Sequence, residues 1–295
     1  RGDGADGLDL RQPPGGRRVT AVDREGLAGV HDLVRRLLGE LDRVATAHDV
    51  PFYLAYGTAI GAARDGDLVP WDVDADVWVR REHYARLVGV LAGALGPEFE
   101  LLTPETHPDY EYLFPRLVLR GIHHVYVRVD VFPLDPAPRT AAGRTAYLRL
   151  MRVLDRAYFV KRADIAIRLH YSPAKRLVTR ALRAALLVVP AGVLRRVFRL
   201  LQAAGDPAVL VNSCGSYGER EFFDAAWFAD VVRLPVHGVA LPAPAGYDEL
   251  LTHLYGDWRT PVPPAQQEAE LVAATSSFVE PLRAQGLLSG PEEAA

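Results

Sequence analysis

A single cysteine, Cys214, is all the sequence holds, so no disulfide can close within the chain. A small buried thiol is its plain reading, and a lone thiol fits a reducing, cytoplasmic setting. Long apolar runs are missing as well. The longest, Ala184–Leu194, falls far short of the ~20 residues of a membrane span and contains Pro190. No Cys/His spacing suits zinc, and no P-loop, dinucleotide fingerprint or serine-hydrolase elbow is present. No internal repeat is found. These absences set aside disulfide scaffolds, helical membrane channels, zinc modules, P-loop NTPases and Rossmann dehydrogenases. No secretory signal opens the sequence, which starts at Arg1 rather than methionine, so a leader removed upstream stays open.

Acids are missing from one region only. Residues 139–201 hold fifteen Lys and Arg against two acids, Asp155 and Asp164, in a 295-residue chain of net charge −3. Two stretches there read as amphipathic helices. Tyr147, Leu150, Met151, Leu154 and Tyr158 oppose Arg149, Arg152 and Arg156. Leu194, Val197, Phe198 and Leu201 oppose Arg195, Arg196 and Arg199. Ordinary packing explains the apolar faces. The lack of acids points to an anionic partner, and peripheral, salt-reversible binding to an anionic membrane follows as an expectation.

What is present centres on residues 52–79, FYLAYGTAIGAARDGDLVPWDVDADVWV. It reads as a strand, a Gly-Thr turn, a helix start, a Pro-Trp loop and a second strand. Along that second strand Asp72, Asp74, Asp76 and Trp78 share one face, and Val73, Ala75, Val77 and Val79 share the other. Carboxylates two residues apart lie about 6.7 Å from each other and point the same way, a row that repels itself unless a cation sits over it. Hard divalent ions such as Mg²⁺ or Mn²⁺ suit oxygen ligands, with substrate phosphates completing the shell. A solvated acidic edge strand is the competing reading. Upstream, Gly57 permits close backbone approach, Thr58 is placed to cap the helix, and Arg64 offers a guanidinium to a phosphate.

These residues resemble the LicD and fukutin-related phosphotransferases, on Tyr56-Gly57-Thr58 through Arg64 and on Pro70-Trp71-Asp72-Val73-Asp74-Ala75-Asp76-Val77. Val73 stands where the family carries the middle aspartate of a DDD run, and Ala75 where it carries isoleucine. Val129-Asp130-Val131-Phe132-Pro133-Leu134-Asp135 is similar to the family's DIFPLD. Ser216-Tyr217-Gly218-Glu219, Pro244–Asp248, Leu254–Trp258 and Pro263-Pro264 follow its C-terminal pattern. The resemblance implies an α/β fold, a nucleotidyltransferase-like mixed sheet flanked by helices. It also implies a metal site of Asp74, Asp76 and Asp130, with Asp72 as a further candidate. Asp130 projects opposite Val125, Val127, Val129 and Val131, and a strand-end aspartate accepting backbone bonds is its plain alternative. Arg116 matches a basic position that suggests donor phosphate, a surface ion pair being the other reading. The implied reaction moves a phospho-alcohol from a CDP-linked donor to a hydroxyl of a glycan or lipid-linked glycan, releasing CMP. Two rivals stay open: a nucleotidyltransferase moving NMP from an NTP, and a non-catalytic nucleotide- or glycan-binding relative. Nothing suggests a nucleic-acid partner.

The division expected is a disordered 1–19, a catalytic core 20–138, a basic helical insertion 139–205, a C-terminal part 206–290 and a tail 291–295. Helices are predicted over 23–48, 82–95, 247–255 and 266–285. Strands are predicted over 99–102, 112–119 and 123–132, with a hairpin across His237-Gly238. In a strand, His123 and His124 would point apart and could not chelate one ion.

Overall fold

Helix α1 spans Arg24–Ala47, and its start is dictated by Asp23, whose carboxylate accepts from Gly26 N at 2.8 Å. Leu27, Val30, Val34, Leu37, Leu38, Leu41 and Val44 recur at helical spacing and are buried, as their periodicity predicts. The computed structural model describes residues 21–162 and 172–288, so the expected disordered segment and tail lie outside the described residues.

After α1 come the short strand β1 (Tyr53–Leu54) and the short helix α2 (Tyr56–Ile60), which runs into a π-type turn at Gly61–Asp65. Strand β2 (Ala75–Arg80) and helix α3 (Arg81–Ala94) follow. Strands β3 (Phe99–Leu102), β4 (Arg116–Leu119) and β5 (Val129–Ala137) come next. Three helices, α4 (Ala141–Arg162), α5 (Pro173–Ala185) and α6 (Ala191–Gln202), connect β5 to β6 (Asp206–Val211). Strands β7 (Phe222–Asp224), β8 (Val231–Val236) and β9 (Val239–Pro244) precede α7 (Tyr247–Tyr255), α8 (Pro264–Ala274) and α9 (Glu280–Ala284).

The protein is mixed α/β. One sheet runs β1-β2-β5-β4-β3, and β6 and β7 extend it from the far end of β5. Only β2 and β5 pair in parallel; the other neighbours are antiparallel. Val77, Val79, Val129 and Val131 are fully buried on one face of that parallel pair. Burying each such side chain contributes about 1.5–3 kcal/mol, which fixes the register and so fixes what the opposite face presents. In that register Ala75 lies beside Val129 and Asp76 beside Asp130.

Several boundaries depart from expectation. Strand β2 begins at Ala75, so Asp72 and Asp74 belong to the segment leading into it, where Asp72 N closes a turn on Val69 O at 2.9 Å. The strand expected from His123 begins only at Val129. Tyr126 N bonds His123 O in a turn, and the two histidine rings stack 4.4 Å apart instead of pointing oppositely. β4 starts at Arg116 rather than Tyr112. Strands β6 and β7 were not foreseen. Region 139–205 holds α4, α5 and α6, with a turn at 186–190 between the last two, and the hairpin, α3 and α7 fall where predicted.

Candidate active site

Two backbone bonds fasten the Gly-Thr turn to the acid strand. Ala55 N donates to Asp76 O, and Asp76 N donates to the Thr58 hydroxyl, both at 2.9 Å. Thr58 therefore sits inside α2 and braces β2; it does not cap the helix, whose N-cap is Ala55. Gly57 leaves room for a neighbour: a Cβ there would lie 2.4 Å from an Asp72 carboxylate oxygen and would push that side chain aside. Gly61 is required by backbone, because its Cβ would meet Asp67 O and Val69 N at 2.4 and 2.7 Å. The glycines let the 67–72 loop fold back onto the turn.

The result is a cavity of about 530 Å³ lined by Gly57, Arg64, Asp72, Asp74, Asp76 and Asp130 among others. Six of the eight residues singled out from sequence thus face one space. Thr58 and Arg116 do not line it. Arg116 is buried behind the site, where Nε and Nη2 donate to the two oxygens of Asp130 at 2.6 and 3.2 Å, with its guanidinium 3.7 Å from the Tyr112 ring centre. This is neither an open phosphate contact nor a surface ion pair; it is a buried fork that holds Asp130 in place. Arg64 faces the cavity, but its fork is taken by Asp65, and Nη1 reaches Trp258 O at 3.5 Å.

Arg128, not singled out from the sequence, is the cation of the site. It ion-pairs with Asp74, and its Nε lies 3.4 Å from Asp130. Its spacing of two from Asp130 carried the signal, since alternation puts both on one strand face; the turn at 123–127 does not disturb that. Asp72 and Asp76 behave differently. Among the described residues neither carboxylate has a hydrogen-bond or ion-pair partner. Burial, and next the charge of Asp74, push Asp72 up to about 7. The same two causes, with Asp130 added, push Asp76 well above the usual carboxylate range.

Among the described residues no three acidic, histidine or cysteine side chains are grouped tightly enough to hold an ion by themselves. The donor chemistry nevertheless fits a hard divalent cation. Every ligand atom is a carboxylate oxygen, Asp76 is half-buried without a partner, and Mg²⁺ is commonly held by one or two carboxylates with the remaining ligands from water and phosphate.

A second wall comes from the C-terminal motifs. Asn212 Nδ2 donates to the Tyr56 hydroxyl at 2.8 Å, and that hydroxyl donates to Glu221 at 2.5 Å. Glu221 also accepts from Tyr217 N at 2.9 Å, and burial lifts its carboxyl to about 7. Gly215 is forced by the same carboxylate, which a Cβ would approach to 2.0 Å. This network holds Tyr56 at φ +47°, a left-handed backbone that a tyrosine adopts only under such constraint. Glu221 lies just outside the motif read from sequence, and no local pattern marks it. Asp135, the last residue of the Val129–Asp135 motif, faces away from the cavity and pairs with Arg81, burial raising it to about 6. Asp257 is exposed and accepts from Thr260 N at 3.2 Å, a turn cap.

No curated protein matches the chain. Residues 49–145 match the family model described as LicD/FKTN/FKRP, nucleotidyltransferase domain. That span contains the Gly-Thr turn, the acid strand, Arg128 and Asp130, and it ends before the wall that Gly215, Ser216, Tyr217 and Tyr255 supply and that Glu221 braces through Tyr56 and Tyr217. The family the motifs resemble is therefore the family whose model the chain matches: residues 49–145 are similar to the LicD/FKTN/FKRP nucleotidyltransferase domain.

Proposed function

We propose that the sheet is a nucleotidyltransferase-type platform for phosphotransfer on glycans. In this reading a phospho-alcohol of the phosphocholine or phospho-alditol kind passes from a CDP-linked donor to a glycan or glycolipid hydroxyl. One observation carries it: Asp72, Asp74, Asp76 and Asp130 converge on a single cavity with Arg64 and Arg128, inside a segment that matches the LicD domain.

Asp76, with Asp74 or Asp130 beside it, would hold Mg²⁺ or Mn²⁺. When bound, the ion neutralises phosphate charge as the transferring group moves between oxygens. The chain's own residues do the rest. Arg116 fixes Asp130, so that carboxylate keeps its position while its two oxygens are engaged. With both oxygens so engaged, Asp130 is assigned to holding the ion and not to proton transfer. The acceptor hydroxyl's proton passes to Asp72, already lifted to about 7 by burial. The acceptor oxygen bonds phosphorus, the bond from phosphorus to the CMP oxygen breaks, and CMP leaves with that electron pair. Arg64 and Arg128 are placed to exchange their carboxylate partners for phosphate oxygens.

The test is to incubate the chain with CDP-choline, CDP-glycerol or CDP-ribitol and Mg²⁺, and to identify the nucleotide product. Thermal stabilisation by one of these donors together with CMP release is the expected result. Pyrophosphate release from an NTP instead would replace this reading with NMP transfer.

A further inference from the structure

Thirteen large hydrophobic residues are exposed among the described residues, and ten of them lie between Leu150 and Leu200. Scattered singly they would mean nothing. They are not scattered. At about 100° per residue, Leu177, Val178, Ala181, Leu182, Ala184 and Ala185 fall on one arc of α5, while Lys175, Arg176, Thr179, Arg180 and Arg183 fall on the other. Leu177 is 68% exposed, and Val178 and Leu182 are exposed beside it. The polar arc is the one turned to the protein: Thr179 is buried, and Arg183 Nε donates to Val160 O at 2.9 Å. α5 is thus amphipathic with its apolar side outward. The turn that follows carries Leu187 and Val188, 73% and 87% exposed. On α6, Val193, Val197 and Leu200 form a second exposed stripe.

We infer that α5, the Leu187-Val188 turn and the outer stripe of α6 are an interfacial membrane-docking surface for an anionic bilayer. Charge selects this occupant. Residues 139–201 carry fifteen basic side chains against two acids. Arg180 flanks the apolar arc of α5 and Arg196 is exposed on α6, where long cationic side chains can reach headgroups while the apolar arc enters the acyl boundary. Among the described residues no helix is long and apolar enough to cross a membrane, so the surface lies on the bilayer rather than through it. This sharpens the electrostatic expectation from sequence and moves its centre. Arg195 and Arg199 are paired with Glu105, and Arg195 also donates to Pro104 O at 2.9 Å, so the α6 arginines serve the fold as much as a surface. The inference does not depend on the proposed transfer reaction, and its test reads binding rather than turnover.

The experiment is co-sedimentation of the full chain with phosphatidylglycerol–phosphatidylcholine vesicles and with pure phosphatidylcholine vesicles, at low and high salt. Strong binding to the anionic vesicles, a substantial part of it surviving high salt, is expected. Leu177→Ser/Leu182→Ser and Leu187→Ser/Val188→Ser should each lower the partition coefficient by at least about tenfold with circular dichroism and melting temperature unchanged. Arg196→Gln should weaken binding only at low salt. The inference is overturned if the chain ignores anionic vesicles, or if salt releases it fully and the serine variants bind like wild type. A lipid-free dimer that those variants convert to monomer would assign the face to a second copy. A fall in their melting temperature would show the face covered within the chain.

Discussion

The acidic cavity and the helices α4–α6 handle charge in opposite ways. Around the cavity, carboxylates face the open space while two arginines stand among and behind them. In the helical region, three cations turn inward to backbone oxygens, Lys161 donating to Leu186 O, Arg183 to Val160 O and Arg195 to Pro104 O, while Arg180 and Arg196 stay exposed. Leucines and valines are left outside. A folded chain ordinarily buries apolar groups and solvates charges. Each region breaks that rule on one side only, the first by crowding unpaired acids under partial cover, the second by exposing an apolar face. On the two readings proposed above, each is completed by something added: a cation and phosphates in one case, an apolar–anionic surface in the other.

The contrast can be broken most directly at Asp76. Asp76→Asn is expected to lower kcat/KM for CMP release by at least about 10²–10³-fold. Its melting temperature should hold or rise, because a half-buried carboxyl that Asp74 and Asp130 repel is replaced by a neutral amide. Turnover near wild type would detach the acid cluster from catalysis. The next largest effect is expected at Arg128. Arg128→Gln leaves Asp74 without its partner and should cost of order 3 kcal/mol in denaturant unfolding, partly regained with added Mg²⁺. An unchanged midpoint would show that the cluster needs no internal counter-ion.

Glu221 sharpens the comparison through pH. Its carboxyl is lifted to about 7, above its ordinary 4.5, so the folded state holds the proton more tightly than the unfolded chain. The stability it contributes is present below pH 4.5 and is lost as pH rises toward 7. Glu221→Gln should flatten that decline and gain up to about 3 kcal/mol at pH 8, while keeping a group that can accept from Tyr56. A pH profile parallel to wild type would contradict the burial assigned to this group. The smallest effect belongs to the helices: Leu187→Ser/Val188→Ser should change unfolding free energy by less than about 0.5 kcal/mol, since neither side chain packs against the core. A larger loss would mean that this face is not solvent-facing.

Particular residues show what a reader of the sequence can and cannot see. Asp72, Asp74, Asp76 and Asp130 were legible because alternation and motif spacing are local properties, and the cavity brings all four together. The α1 stripe, the β8–β9 hairpin and α7 were legible for the same reason. Arg116 was assigned to the wrong side of its strand partner, because whether a side chain meets solvent or a carboxylate depends on packing that no local pattern records. The outward face of α5 was invisible for a related reason. Amphipathicity reports two faces and not which one turns inward, and the structure chose the less common arrangement.

The parallel pairing of β2 with β5 also governs when the site can exist. Asp76 and Asp130 are neighbours across fifty-four residues of chain, and β5 is the strand on which β2, β4 and β6 all register. Helices α1 and α3 can form early from local contacts, but joining distant strands in parallel is the slow, entropically costly step. The crowded carboxylates therefore meet late, after the valine face has closed, when burial can outweigh their repulsion. During synthesis, a chain that has not yet paired β5 with β2 does not bring Asp76 and Asp130 together, so the proposed cation site is absent. Cation-dependent protection of β2 amides in pulsed hydrogen exchange would thus appear only together with protection of β5.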